Sequence, residues 1–308
     1  MKKLTFVLLS LFSISTFAQE VSEERIKTII SVLASDEMKG REIGTPENDK
    51  SAQYIAELFE KNNLEYCTGN SYLVPFDYKG KTAYNVCGIK KGKSEKVLAF
   101  SGHFDHIGTK NKSGGDHIYN GADDNASGIT ALVGISDYFK DKEPEFSMVF
   151  MAFNGEEKGM LGSKAISEDD NMNRINENIA ALFNFEMVAT ESQFGKNAVF
   201  ITGDEFSDLD ELFNKYAVDG LKIHPDPYAK QQLFYRSDNV SYVKKRIIAH
   251  SISTVDMTKA KHYHQPNDDL SIVNFTNMAQ IINNFSKTVD KLTPKNFSPK
   301  YNNKVKFD

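Results

Sequence analysis

Val97-Leu98-Ala99-Phe100-Ser101-Gly102-His103-Phe104-Asp105-His106 decides the reading of this chain: an apolar run, two small residues, then imidazole and carboxylate. Val97–Phe100 reads as a buried strand. Tyr84–Ile89, Met148–Phe153 and Ala180–Phe185 have the same form, and stretches near Gly128–Phe139 and Gly159–Ser167 between them are helical. Alternation of this kind predicts an α/β fold with a mostly parallel sheet covered on both faces by helices. In such a sheet ligands collect beyond the carboxyl ends of the strands, so polar residues just past each apolar run are the ones to inspect.

Working outward, Ile26, Ile29, Ile30 and Leu33 recur at helical spacing over Glu23–Leu33, and Ala52, Ile55, Leu58 and Phe59 do so from about Asn48 to Asn62. Gly40-Arg41-Glu42-Ile43-Gly44-Thr45-Pro46 between them is a turn-rich connector. Further strands are expected at Ala198–Thr202 and Ile247–Ile252, and further helices at Leu209–Tyr216 and about Phe275–Leu292. With no repeat and no Pro- or Ser-rich linker, residues 19–308 read as a single domain. The Lys-, Asn- and Pro-rich tail after Thr293 is expected to be a loosely packed terminus.

The first eighteen residues follow another plan. Lys2 and Lys3 precede an apolar run from Leu4 to Phe17 that ends at Ala18, the pattern of a secretory signal peptide over residues 1–18. The run is too short to span a bilayer, no later segment is long enough, and no Cys follows to take a lipid anchor. The expected location is therefore exported, periplasmic or secreted, without stable membrane insertion. The formal net charge of −5 is spread over interspersed acids and bases, which argues against nucleic acid or an anionic membrane as partner. Cys67 and Cys87, both in a chain that leaves the cytosol, are free to be bridged or not. Two cysteines cannot build a Cys-based zinc site, so any metal must be held by His and carboxylate.

Five clusters carry such groups. His103-Phe104-Asp105-His106, Asn154-Gly155-Glu156-Glu157 and Glu186 follow strand-like runs, and His262-Tyr263-His264-Gln265-Pro266 lies some way past the last one. Gly121-Ala122-Asp123-Asp124-Asn125-Ala126-Ser127-Gly128 immediately precedes a helix. Taken singly, each has a bland explanation: a structural His, a solvated acid pair, an N-cap. Five together at strand or helix ends look like a metal centre.

Read in chain order, with Gly121–Gly128 between His103-Phe104-Asp105 and Asn154–Glu157, these motifs resemble the co-catalytic zinc aminopeptidases of the M28 peptidase family, as do Leu33–Glu42 with Gly44-Thr45-Pro46 and the late Tyr263–Asp269. The resemblance covers nearly all of the chain after residue 18. It implies a three-layer α/β/α sandwich with a mixed, mostly parallel central sheet. It also implies two Zn²⁺ per chain, with His103 on one ion, His264 on the other and Asp124 bridging. Glu157 would join the His264 ion and Glu186 the His103 ion, where most relatives have Asp. Asp105 would orient the His103 imidazole.

The chemistry agrees. Two divalent ions roughly 3.5–4 Å apart need a shared carboxylate and lower the pKa of a shared water. Glu156, beside a ligand, is placed to act as general base. Tyr263 could face a developing oxyanion or be a core aromatic. Arg236, in a segment the family uses near substrate, could hold a substrate group or pair on the surface. His106, His117, His224, His250 and His262 receive no role from sequence.

The expected activity is metal-assisted removal of N-terminal residues from peptide substrates. A carboxypeptidase or dipeptidase on the same two-metal scaffold is the nearest alternative. Glutaminyl cyclases resemble the same fold but use one zinc and Trp-rich pockets, and this chain has no Trp. A non-catalytic peptide-binding protein would tolerate loss of Glu156 or a ligand, whereas every expected position is filled.

Overall fold

Side chains on successive residues of a strand point to opposite faces of the sheet, and the central strands here are apolar on both. A computed structural model describes residues 20–110 and 115–307, so the expected signal peptide at Met1–Ala18 lies outside the described residues. The strands are β1 (Glu65–Tyr66), β2 (Leu73–Tyr78), β3 (Lys81–Lys90), β4 (Ser94–His103), β5 (Gly108–Thr109) and β6 (Ile118–Tyr119). They continue as β7 (Phe146–Phe153), β8 (Ile179–Phe185), β9 (Ala198–Ile201), β10 (Lys222–His224) and β11 (Ala249–Ser253). The helices are α1 (Glu23–Leu33), α2 (Pro46–Lys61), α3 (Gly128–Phe139) and α4 (Leu161–Glu168), then α5 (Asn173–Asn176), α6 (Leu209–Asn214), α7 (Asn239–Val243) and α8 (Phe275–Val289).

The main sheet runs β1-β3-β7-β4-β8-β11-β9-β10, with β2 also paired to β3. Strands β7, β4, β8 and β11 are mutually parallel, and antiparallel pairs flank them on both sides. Leu98, Phe100, Phe150 and Phe183 bury one face against α1, α2, α3 and α8. Val97, Ala99, Val149, Met151 and Leu182 bury the other with Ile166 of α4 and Tyr242 of α7. Each fully buried side chain of this size contributes about 1.5–3 kcal/mol, so two dry faces bind the helix layers to the sheet. This is the expected α/β/α sandwich, mixed and parallel at its centre.

Local signals account for element ends. Thr45 Oγ1 accepts from Asn48 N and Pro46 opens α2, which places its start two residues before the apolar pattern does. Strand β2 goes unread in the sequence because Pro75 interrupts it; β2 pairs only with β3, and a strand with a free edge tolerates the missing N–H. The tail after Thr293 corrects an expectation. Phe297 is buried in the larger core, Tyr301 Oη donates to Ile247 O at 2.8 Å, and Ala249 N donates back to it at 3.0 Å. Apolar and aromatic residues spaced through a polar segment are enough to hold it beside β11. Cys67 and Cys87 are joined, tying the segment after β1 to β3.

Candidate metal centre

Strand β4 lies between β7 and β8, so the carboxyl ends of three adjacent parallel strands open on one side of the sheet. His103 is the last residue of β4, Glu156 and Glu157 follow β7 after one turn, and Glu186 follows β8 directly. Asp124 arrives from residues 122–127, a kinked segment that leads into α3.

That segment is fixed by side chains rather than by regular structure. Asn125 Oδ1 accepts from Gly128 N at 3.0 Å and Met187 N at 3.1 Å, while its Nδ2 donates to Phe185 O at 2.8 Å. Asn125 thus satisfies the N–H of the first residue of α3 from outside the helix. Asp268 accepts from Asp123 N at 2.7 Å and Asp124 N at 3.0 Å. Asp123 accepts from Ala189 N and pairs with His262 Nε2 at 2.9 Å, which anchors the segment carrying His264. The Asp124 carboxylate is left free for the site.

The expected ligands converge. Asp124 Oδ1 lies 3.4 Å from His103 Nε2, and its Oδ2 lies 3.2 Å from His264 Nε2. Glu186 Oε1 is 3.2 Å from His103 Nε2, and Glu157 Oε1 is 3.2 Å from His264 Nε2. Ser237 Oγ donates to Glu186 Oε2 at 2.6 Å. Asp105 holds the imidazole differently from the expectation: its backbone carbonyl faces His103 Nδ1 at 3.1 Å, its nearest carboxylate oxygen is 3.7 Å from that nitrogen, and the carboxylate instead accepts from Glu156 N and Glu157 N at 3.0 and 3.2 Å. It positions an imidazole and the turn that carries both glutamates.

Charges sort accordingly. Burial and its two carboxylate partners act oppositely on His264, and the carboxylates win, pushing it up to about 10. His103 is likewise raised, against strong desolvation, chiefly by Glu186. Asp124 is held well below the usual carboxylate range, since the imidazoles around it outweigh its burial, and Glu157 falls to about 2 for the same reason. Glu156 goes the other way: burial first, then the Glu186, Asp238 and Asp105 carboxylates raise it, with His103 opposing. Burial also pushes Asp238, beside Ser237, up to about 7.

A metal fits these residues. Glu157 Oε1 and both ring nitrogens of His106 are buried without a hydrogen-bond partner among the described residues, which is rare for buried polar atoms unless a further group satisfies them. The donors are all N or O, as hard or borderline divalent cations prefer. Tyr263 stacks on His264 with ring centres 3.9 Å apart. It shares a pocket with Arg236, Glu156 and Glu186, whose apolar wall is Met187, Phe200, Leu233, Val255 and Met257.

Besides His262 and Ser237, sequence reasoning gave no role to three further contributors. His106 sits against Glu157, with Nδ1 2.8 Å from Oε1. Asp268 braces the Asp124 backbone, and Arg41, inside the turn-rich connector, donates to Phe104 O and Gly121 O at 2.7 and 3.0 Å. Each lies in or beside a stretch that resembles the family, His106 three residues past His103, Arg41 in Leu33–Glu42 and Asp268 in Tyr263–Asp269, but none stands out singly.

Comparison with known proteins agrees with the fold. A probable leucine aminopeptidase of Trichophyton verrucosum is 26% identical over 207 residues, 65% of this chain and 54% of that protein. The chain spans about half the length of the curated relatives it matches, or less. Among solved structures, a leucine aminopeptidase precursor from Bacteroides thetaiotaomicron superposes with a TM-score of 0.68 at 17% identity, covering 90% of this chain and 99% of that one. A glutaminyl cyclase from the same organism, bound to N-acetylhistamine, superposes with 0.69 at 17% identity, covering 90% and 100%. The family model described as "Peptidase family M28" matches residues 85–289, a span that contains His103, Asp124, Glu156, Glu157, Glu186 and His264. The chain belongs to peptidase family M28.

Proposed function

We propose that this chain is an exported aminopeptidase that uses two zinc ions, held by His103, Asp124 and Glu186 on one side and by His264, Asp124 and Glu157 on the other. One observation carries the reading: the two oxygens of Asp124 each face a different imidazole, and each imidazole faces its own glutamate. When bound, the ions would polarise the scissile carbonyl and lower the pKa of the attacking water. Glu156, which lines the pocket beside the ligand Glu157, takes a proton from that water as its oxygen attacks the carbonyl carbon. It returns the proton to the peptide nitrogen as the C–N bond breaks, releasing a free carboxylate and a free amine.

Tyr263 faces the pocket and can donate to the oxyanion from its stacked position on His264. The apolar wall suits an aliphatic or aromatic N-terminal side chain, and the Glu156 and Glu186 carboxylates suit a positively charged amino terminus. Export is supported by the run from Leu4 to Phe17 ending at Ala18, and by a disulfide that an oxidising compartment would maintain. No helix of the described residues is long and apolar enough to cross a membrane.

Arg236 favours a second reading. It is exposed at the pocket and has no carboxylate partner among the described residues, so it could receive a substrate's C-terminal carboxylate, as a carboxypeptidase or dipeptidase requires. A panel of unblocked, N-acetylated and C-amidated peptides separates the two. The aminopeptidase reading expects cleavage of unblocked and C-amidated peptides only. Glu156→Gln should lower kcat by about 10²–10⁴ with both metals retained. Cleavage that survives N-acetylation and fails on amidation would replace it with the second reading.

A further inference from the structure

His106 lies just past β4 and is completely buried, yet neither ring nitrogen has a hydrogen-bond partner among the described residues. Its Nδ1 is 2.8 Å from Glu157 Oε1, but the approach lacks hydrogen-bond geometry, so both atoms remain orphans. It also lies 3.9 Å from Asp124 Oδ2. Those are the two oxygens that His264 Nε2 reaches at 3.2 Å each. The two imidazoles therefore approach one pair of carboxylate oxygens with their rings 5.8 Å apart and inclined by 69°. Two imidazoles thus share one pair of carboxylate oxygens, and His106, Asp124 and Glu157 each offer an atom of a group close enough to hold one cation.

The ring is also held from behind. At Gly121, with φ +58°, an added Cβ would lie 2.7 Å from His106 Cγ and Cδ2. Only a residue without a side chain lets the backbone close on the imidazole this way, which restricts the ring's direction before any ion arrives.

We propose that His106 Nδ1 is a direct ligand of the cation held by Asp124, Glu157 and His264. This rests on the two-metal reading above. It gives that position four protein donors, two N and two O, while the other has three: His103 Nε2, Asp124 Oδ1 and Glu186 Oε1. With four protein donors, water or a carbonyl oxygen at that ion would be a fifth ligand, a coordination number that catalytic Zn²⁺ can reach.

The test is NMR of protein carrying nitrogen-15 histidine and loaded with cadmium-113, in which a nitrogen bound to the ion shows scalar coupling to it. The expected spectrum has two cadmium signals, one coupled to a single imidazole nitrogen and the other to two, one of them an Nδ1. His106→Gln should remove the Nδ1 coupling and weaken that position for Zn²⁺ in chelator competition by more than the roughly 10–100-fold that loss of a ligand's hydrogen-bonding partner costs, with the His103 position unmoved. The unsubstituted protein alone decides the matter if the variant does not fold. Two bound ions coupled only to His103 and His264 would overturn the assignment and leave the two-metal reading intact. A single bound ion would overturn the two-metal reading, and would overturn this assignment too if it showed no coupling to an Nδ1.

Discussion

The guanidinium of Arg41 donates through Nε to Phe104 O at 2.7 Å and through its terminal nitrogens to the carbonyls of Leu33, Asn120 and Gly121. One buried side chain thus joins the end of α1, the strand end that carries His103 and the loop that carries Asp124. Desolvation lowers its pKa to about 10, with Asp268, Asp105, Asp124 and Glu157 opposing, so it stays charged at neutral pH.

Arg41→Lys keeps the charge but not the planar fork, and leaves buried carbonyls without donors. The expected loss is about 2–4 kcal/mol, read as a lower urea midpoint. Weaker metal binding should accompany it, because two ligand-bearing segments lose a common anchor. Unchanged stability would show that lysine satisfies the same carbonyls.

Glu186 uses one oxygen toward His103 and the other to accept from Ser237. Ser237→Ala should weaken metal binding at the His103 position by about tenfold or more, as loss of a ligand's supporting hydrogen bond generally does. Glu186→Asp, one methylene shorter, should forfeit the same bond, so adding Ser237→Ala to it should cost little further. Chelator competition on the two single variants and the double variant measures this directly.

The Cys67–Cys87 bond closes a loop across a sequence separation of 20. Chain entropy alone assigns such a closure about 3 kcal/mol. Replacing both cysteines by serine should lower the unfolding free energy by that order while leaving kcat unchanged, since the bond lies on the β1–β3 edge, across β7 from β4. Urea unfolding and peptide hydrolysis measured side by side test both halves.

His250 is fully buried between Thr202 O and Ser207 Oγ, each 2.8 Å from a ring nitrogen, and burial lowers its pKa to about 4 from 6.5. Between those values the unfolded chain binds a proton that the folded chain does not. Stability is therefore fully present above pH 6.5 and is lost as pH falls toward 4, by roughly 3 kcal/mol from this group. His250→Gln should flatten that part of the profile. Urea unfolding of chelator-treated protein at pH 7 and pH 4.5 is the measurement, with metal absent from both samples so that its own proton competition does not enter.

Much of this could be read along the chain. Val97–Phe100 and Met148–Phe153 are apolar at every position, and Ala180–Phe185 at every position but Asn184, because both faces of their strands are covered, and such runs stand out without knowledge of their neighbours. His103, Glu156, Glu157 and Glu186 were legible because each follows one of those runs, and Asp124 because it opens a helix. Strand β2 and the packed tail were not, since each depends on a partner far away: β3 for one, β11 for the other.

The sequence by itself determined the α/β class, the strand ends where polar residues gather and the kinds of donor present there. Those are local facts, set by the period of apolar residues and by what immediately follows them. Tertiary structure alone decided which donors meet. His106 and His250 are both fully buried histidines, yet one ring has two satisfied nitrogens while the other reaches Asp124 and Glu157. Arg41 looks like any arginine in a turn until α1, β4 and the Asp124 loop close around it and leave four carbonyls in need of one donor. Chain closure brings such groups together, and burial, by removing water, makes each unmet hydrogen bond costly enough to matter.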